Sequence, residues 1–163
     1  VAGPAGAHPE FQDRDFNIWK KFYSVFIKNA GPHMDALAMH YYDTYLQGGS
    51  TDAASADYLV RSGSNLEALL DLQEAYALAT LDKVLPQLVS EYGSGFKVKG
   101  IKYSPVHDWW VLRGVNSKMM QFMNRPDRVV KAIPFIVAKA IWHVATDGPT
   151  VNDRSVGFYN ALH

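Results

Sequence analysis

Apolar residues recur along this chain at helical spacing, and glycine and proline cut that spacing into segments. Together these two features constrain most what the chain can fold into. Phe16, Trp19, Tyr23 and Phe26 stand at i, i+3, i+7 and i+10, which places them on one helical face. Pro9 suits the first turn of that helix, where its missing N–H costs nothing, and Gly31-Pro32 ends it. Met34, Leu37, Tyr41 and Tyr45 form a second stripe, stopped by Gly48-Gly49. Thr51 or Asp52 can cap a short third helix running to about Val60. Ser64 and Glu67 have capping-box spacing and open the longest predicted helix, about residues 65–91. Its buried stripe is Leu66, Leu70, Gln73, Ala77, Leu81, Val84 and Leu88, and Pro86 is expected to kink its last turns.

Residues 93–103 are the least helical stretch and read as a long loop, while residues 1–8 read as a small-residue N-terminal arm. Ser104-Pro105 starts a helix expected to run through Met123, with an interruption near Gly114. Asn124 then caps a helix with Pro126 in its first turn, and Val129, Val130, Ile133, Ile136, Val137, Ala140 and Ile141 fill its broad buried face. A short last helix carries Val156, Phe158, Tyr159 and Leu162. The expectation is an all-α fold: one compact orthogonal domain of six to seven helices over residues 1–163.

Composition narrows function by exclusion. Sixteen basic and sixteen acidic residues balance, so no long-range field favours nucleic acid or an acidic membrane. With no cysteine there is no disulfide scaffold, iron–sulfur cluster or thiol nucleophile. No apolar run approaches the ~18 residues of a membrane span. Phosphate-binding glycine loops, H-E-x-x-H, EF-hand loops and G-x-S-x-G are missing, and no acid–base pair stands out. Catalysis is therefore expected only through a cofactor, and a binding protein is favoured over an enzyme. The oligomeric state, a homo-oligomer included, and the compartment are not readable.

Among the histidines, His33 and His40 read as partly exposed helix residues, and His143 as a complement to a helix C-terminus. His107 lies in Ser104-Pro105-Val106-His107-Asp108-Trp109-Trp110, at the start of an aromatic-rich helix. It reads either as a cap residue beside two core tryptophans or as an axial ligand for a flat aromatic cofactor.

The order of these elements resembles a globin. Trp19 corresponds to the tryptophan of the first globin helix, Gly31 to the glycine at a helix crossing, helix 65–91 to the long distal helix, and Arg113-Gly114-Val115 to the turn after the proximal helix. The resemblance implies a haem-binding protein that reversibly binds a diatomic gas such as dioxygen. His107 would be the haem-iron ligand and Gln73 the distal donor, with Tyr76 as the second distal candidate. Tyr41, Tyr45 and Trp110 would line the cofactor. Gln73 also reads as a satisfied core amide. Two further readings are a helical carrier of a pigment or lipid, with Met119, Met120 and Met123 as adaptable liners, and a protein–protein module built on Leu59-Val60-Arg61-Ser62-Gly63.

Overall fold

The computed structural model describes residues 1–7, 11–47, 57–59, 61–94 and 105–135. Strand β1 (Ala2–Ala7) is followed by helix α1 (Asp13–Ile18), which passes through a π-helical turn at Trp19–Tyr23 into α2 (Ser24–Ala30). Next come β2 (Ala36–Gln47), the short β3 (Asp57–Leu59), α3 (Ser64–Leu81), β4 (Gln87–Ser94), α4 (Pro105–Met123) and β5 (Val129–Pro134). β1, β2, β4 and β5 lie side by side in chain order and pair in parallel, while β3 adds to β2 in the antiparallel sense. Each parallel neighbour is reached over a helical segment, as parallel pairing requires.

The expectation of an all-α domain is therefore overturned: the chain is α/β. Strand β2 shows why. Leu37, Met39 and Tyr41 are buried on one face, and Ala36 and Ala38 are buried on the other. A strand covered on both sides has no apolar–polar alternation to give it away, and Ala, Leu and Met favour helices when read alone. The small-residue segment 2–7 is a strand rather than an arm, held by backbone pairing with β2 in place of any side-chain signal. Val129–Pro134 is likewise a strand, and Val130 and Ile133 are 62% and 39% exposed instead of filling a helix face.

The core forms where the helices meet one sheet face. Leu37, Met39, Tyr41, Val89 and Tyr92 pack with Leu66, Leu69, Leu70 and Ala77 of α3, Val115 and Phe122 of α4, and Trp19, Tyr23 and Ile27 of the first helical stretch. Phe122 sets its ring 6.1 Å from Tyr41 and 5.1 Å from Tyr92, joining α4 to both central strands. Each such side chain contributes about 1.5–3 kcal/mol on burial. Of the first aromatic stripe, Trp19 and Tyr23 are buried and Phe26 half-buried, but Phe16 is 42% exposed. The backbone at Arg14, Asp15 and Phe16 is left-handed (φ 49°, 56° and 59°), so the helical face begins only after it.

Helix α3 starts where the capping pattern put it, by a different mechanism. Its cap position is Gly63, with no side-chain cap of its own. The Gln121 amide of α4 bonds both the Gly63 N–H (2.7 Å) and the Gly63 carbonyl (2.9 Å). The Glu67 carboxylate, instead of reaching back, accepts from Gln121 Nε2 at 2.8 Å and Arg125 Nε at 2.8 Å. The helix ends at Asp82, which is left-handed at φ 51°. Pro86 therefore precedes a strand rather than kinking a helix. α4 spans Pro105–Met123 as expected, and Gly114 does not interrupt it.

Candidate functional site

In a parallel α/β sheet, ligands gather at the carboxyl ends of the strands. The last pairing rows of the two central strands match His40 with Glu91, Tyr41 with Tyr92, Tyr42 with Gly93 and Asp43 with Ser94. Tyr41 and Tyr92 turn into the helical core. His40, Tyr42 and Glu91 occupy the opposite face, and all three are partly exposed.

A bulge sets Glu91 on that face. Met39 pairs with Val89, but the next residue, His40, pairs with Glu91, so Ser90 is an extra residue in β4. In a regular strand of the same sequence, Glu91 would share the face of Val89, and Tyr92 would turn to the opposite one. With the bulge, Val89 and Tyr92 both stay in the core, at 0% and 2% exposure, and Glu91 is free to turn away.

Two neighbours then address the carboxylate. The Tyr42 hydroxyl donates a hydrogen bond to Glu91 Oε1. His40 Nδ1 lies 3.4 Å from Glu91 Oε2. One oxygen thus takes a phenol O–H and the other faces an imidazole, so the carboxylate is held in one orientation. The Tyr42 ring is itself held edge-to-face against Phe135, with centroids 6.4 Å apart.

Sequence reasoning missed Glu91 because it placed the residue in the last turn of a long helix. The available signal was Pro86 followed by a short apolar run ending in Glu91-Tyr92-Gly93, which reads as a strand after a helix stop. His40, expected as an exposed helix histidine, is instead a strand residue beside a carboxylate.

Of the six residues singled out from the sequence, the three whose side chains are described lie away from this cluster. Gln73 is fully buried, and its Nε2 donates to the Tyr41 hydroxyl at 2.7 Å and to the Leu69 carbonyl at 2.9 Å. Tyr76 stands edge-on to Trp19 at 5.3 Å. Tyr41 lies wholly within the core. α4 runs through His107 and Trp110, and β2 through Tyr45, but the side chains of these three lie outside the described residues.

Fold and site together describe a parallel α/β unit with a histidine–tyrosine–glutamate cluster at the carboxyl ends of its central strands. No protein-family model matches the chain. It is 36% identical over 155 residues to a beta-agarase of Pseudoalteromonas atlantica, across 94% of this chain and 28% of that protein. Among solved structures it is similar to BuGH86 in complex with neoagarooctaose, with a TM-score of 0.72 and 35% identity over 82% of this chain and 21% of the other. It is also similar to a beta-porphyranase of glycoside hydrolase family 86 from the human gut bacterium Bacteroides plebeius, with a TM-score of 0.70 and 32% identity over 99% of this chain and 25% of the other. The chain thus spans about a quarter of the length of the proteins it matches.

These relatives overturn the resemblance to globins, and with it the haem, its iron and the binding of a diatomic gas. The supposed distal stripe of α3 packs against a sheet, and Gln73 Nε2 donates within that layer. The helical carrier fails with the helical fold, and its intended liners Met119, Met120 and Met123 are 39%, 64% and 69% exposed. The helical interaction motif fails too, because Leu59 belongs to a strand and Gly63 to the entry of α3. Among the described residues no helix is long and apolar enough to cross a membrane. A small-molecule type of ligand agrees with the oligosaccharide bound to the neighbouring structure.

Proposed function

We propose that this chain is part of a glycoside hydrolase that cleaves β-linkages in a polysaccharide of the agar or porphyran type, with Glu91 as one of its two catalytic carboxylates. The observation that carries this reading is Glu91 itself. It is turned out of the sheet by a bulge, takes the Tyr42 hydroxyl on Oε1 and faces His40 across Oε2. The substrate class rests on the relatives, which are an agarase and a porphyranase.

Glycoside hydrolysis uses one carboxylic acid to protonate the leaving oxygen and one carboxylate on the opposite side of the sugar. A donated phenol O–H supports the second role, because it stabilises negative charge. Glu91 then attacks the anomeric carbon as the glycosidic C–O bond breaks, and the acid gives its proton to the departing oxygen. Water, deprotonated by that same group, releases the sugar from Glu91 and restores the acid. In this reading the acid lies outside the described residues.

The test is Glu91→Gln and Glu91→Ala in the intact protein, with agarose and porphyran as substrates and released oligosaccharides as readout. Loss of about a thousandfold or more in turnover is expected for both. Azide added to Glu91→Ala should restore cleavage and yield a glycosyl azide, since the small anion takes the place of the missing nucleophile. Near-parental activity in Glu91→Gln would end the proposal.

A further inference from the structure

Glu91 owes its hydrogen bond to the room left by a residue with no side chain of its own. Tyr42 starts on β2 and has to lean over β4 to bring its hydroxyl to Glu91. Its register partner on β4 is Gly93, the residue it must pass. A Cβ built on Gly93 would lie 2.9 Å from Tyr42 Cε1 and 3.4 Å from Cδ1. It would also lie 2.6 Å from the Phe135 carbonyl oxygen, on the β5 side. Real Cβ atoms essentially never come within 3.0 Å of such neighbours. The glycine does not serve a turn here, because no left-handed φ is recorded for it among the described residues. What it provides is room.

We infer that Gly93 is a positioning residue for the reaction: its missing side chain is the slot in which the Tyr42 ring lies, and that slot delivers the phenol O–H to Glu91. The inference rests on the reading of Glu91 as a catalytic carboxylate. The slot is closed on its far side by Phe135, whose ring meets Tyr42 edge-to-face (interplanar angle 80°) and whose N–H donates to the Tyr92 carbonyl at 2.7 Å. The ring can therefore neither rise over a new methyl group nor slide outward without breaking the Phe135 contact. An alanine at position 93 displaces the hydroxyl from Glu91 while leaving both catalytic partners chemically intact.

The experiment is a double-mutant cycle in the intact protein, with Gly93→Ala, Tyr42→Phe and their combination assayed on the polysaccharide that the parent cleaves. Misplacement by about an ångström costs on the order of 100-fold in turnover. Gly93→Ala should therefore lose about 10- to 100-fold in kcat with KM little changed. Tyr42→Phe should lose a similar factor, and the double variant should be no worse than the poorer single one. Multiplying losses would overturn the inference, because Gly93 would then act through something other than Tyr42. So would full activity in a folded Gly93→Ala. If Gly93→Ala fails to fold, Tyr42→Leu in the same chain should restore folding by vacating the slot. No restoration would show that the Phe135 carbonyl, rather than the tyrosine ring, requires the glycine. Glu91→Gln separates the two levels: if it stays active the functional reading falls, and if it is dead while Gly93→Ala is unaffected only the positioning role falls.

Discussion

Tyr41 and Tyr42 are adjacent residues of one strand with opposite fates. Alternation sends Tyr42 to the exposed face and Tyr41 into the helical layer, where Gln73 donates to its hydroxyl. Burial pushes the Tyr41 phenol far above the usual tyrosine range, and the Gln73 hydrogen bond only partly offsets it. Burial also raises Tyr23 and Tyr92. The sign follows from which state holds its proton. Below about pH 10 the phenols are neutral in both folded and unfolded chain, and their contribution is fully present. As pH rises beyond that, the unfolded chain releases protons that the folded chain keeps, so stability falls by up to about 1.4 kcal/mol per pH unit for each tyrosine. Urea unfolding between pH 8 and pH 11 should show this loss, and Tyr41→Phe should flatten part of it. At neutral pH the same variant should cost only about 1 kcal/mol, for the hydrogen bond lost. Gln73 was legible as a polar residue on an apolar stripe, and the structure makes it a core amide whose nitrogen donates to Tyr41 and Leu69. That Tyr41 and Tyr42 part company was not legible, because two neighbouring tyrosines look alike until the backbone is known to be extended.

At the level of elements, the contact between α3 and the end of α4 replaces the local cap that the Ser64–Glu67 spacing suggested. Arg125, just beyond α4, gathers three acidic residues of α3: Glu67, Asp71 at 2.6 Å and Glu74 at 3.9 Å. Arg128 continues the row, with its Nε 2.7 Å from Glu74. Isolated exposed pairs are worth little, but one guanidinium shared among several carboxylates ties a helix to the turn that feeds β5. Arg125→Met should destabilise the fold by about 1–3 kcal/mol in thermal or urea unfolding, more at low salt than at high. A change within error would mean that the cluster is solvated decoration. The helices were the readable elements: α4 lies on the predicted bounds and α3 begins where expected. The central strand β2 was hidden because it is covered on both faces and built of residues that favour helices when read alone. β1 is built of alanine, glycine and proline, types that carry no strand preference, and only its pairing with β2 makes it extended.

For the whole molecule, the helical face of the sheet bears the stability and the opposite face bears the site. Trp19 packs on Phe11 at 4.9 Å and joins the first helical stretch to α3 through Tyr76 at 5.3 Å. Trp19→Ala should therefore cost about 3–5 kcal/mol, read as a lower unfolding midpoint, without altering the His40–Tyr42–Glu91 geometry. Retention of the parental midpoint would mean that this aromatic layer is not the core. The layer also explains why the sequence suggested a closed helical protein. Its apolar stripes are real, but the surface they bury against is a sheet.

Ser90 makes these two faces interdependent. A single supernumerary residue inverts the parity of everything downstream of it in β4. Were the strand to run regularly through it, the carboxylate would turn into oil and an aromatic ring into water in the same stroke, whereas excising it would leave both on their present sides. A lineage holding this strand can therefore shed the extra residue, but it cannot keep that residue and straighten the kink without surrendering chemistry and core together.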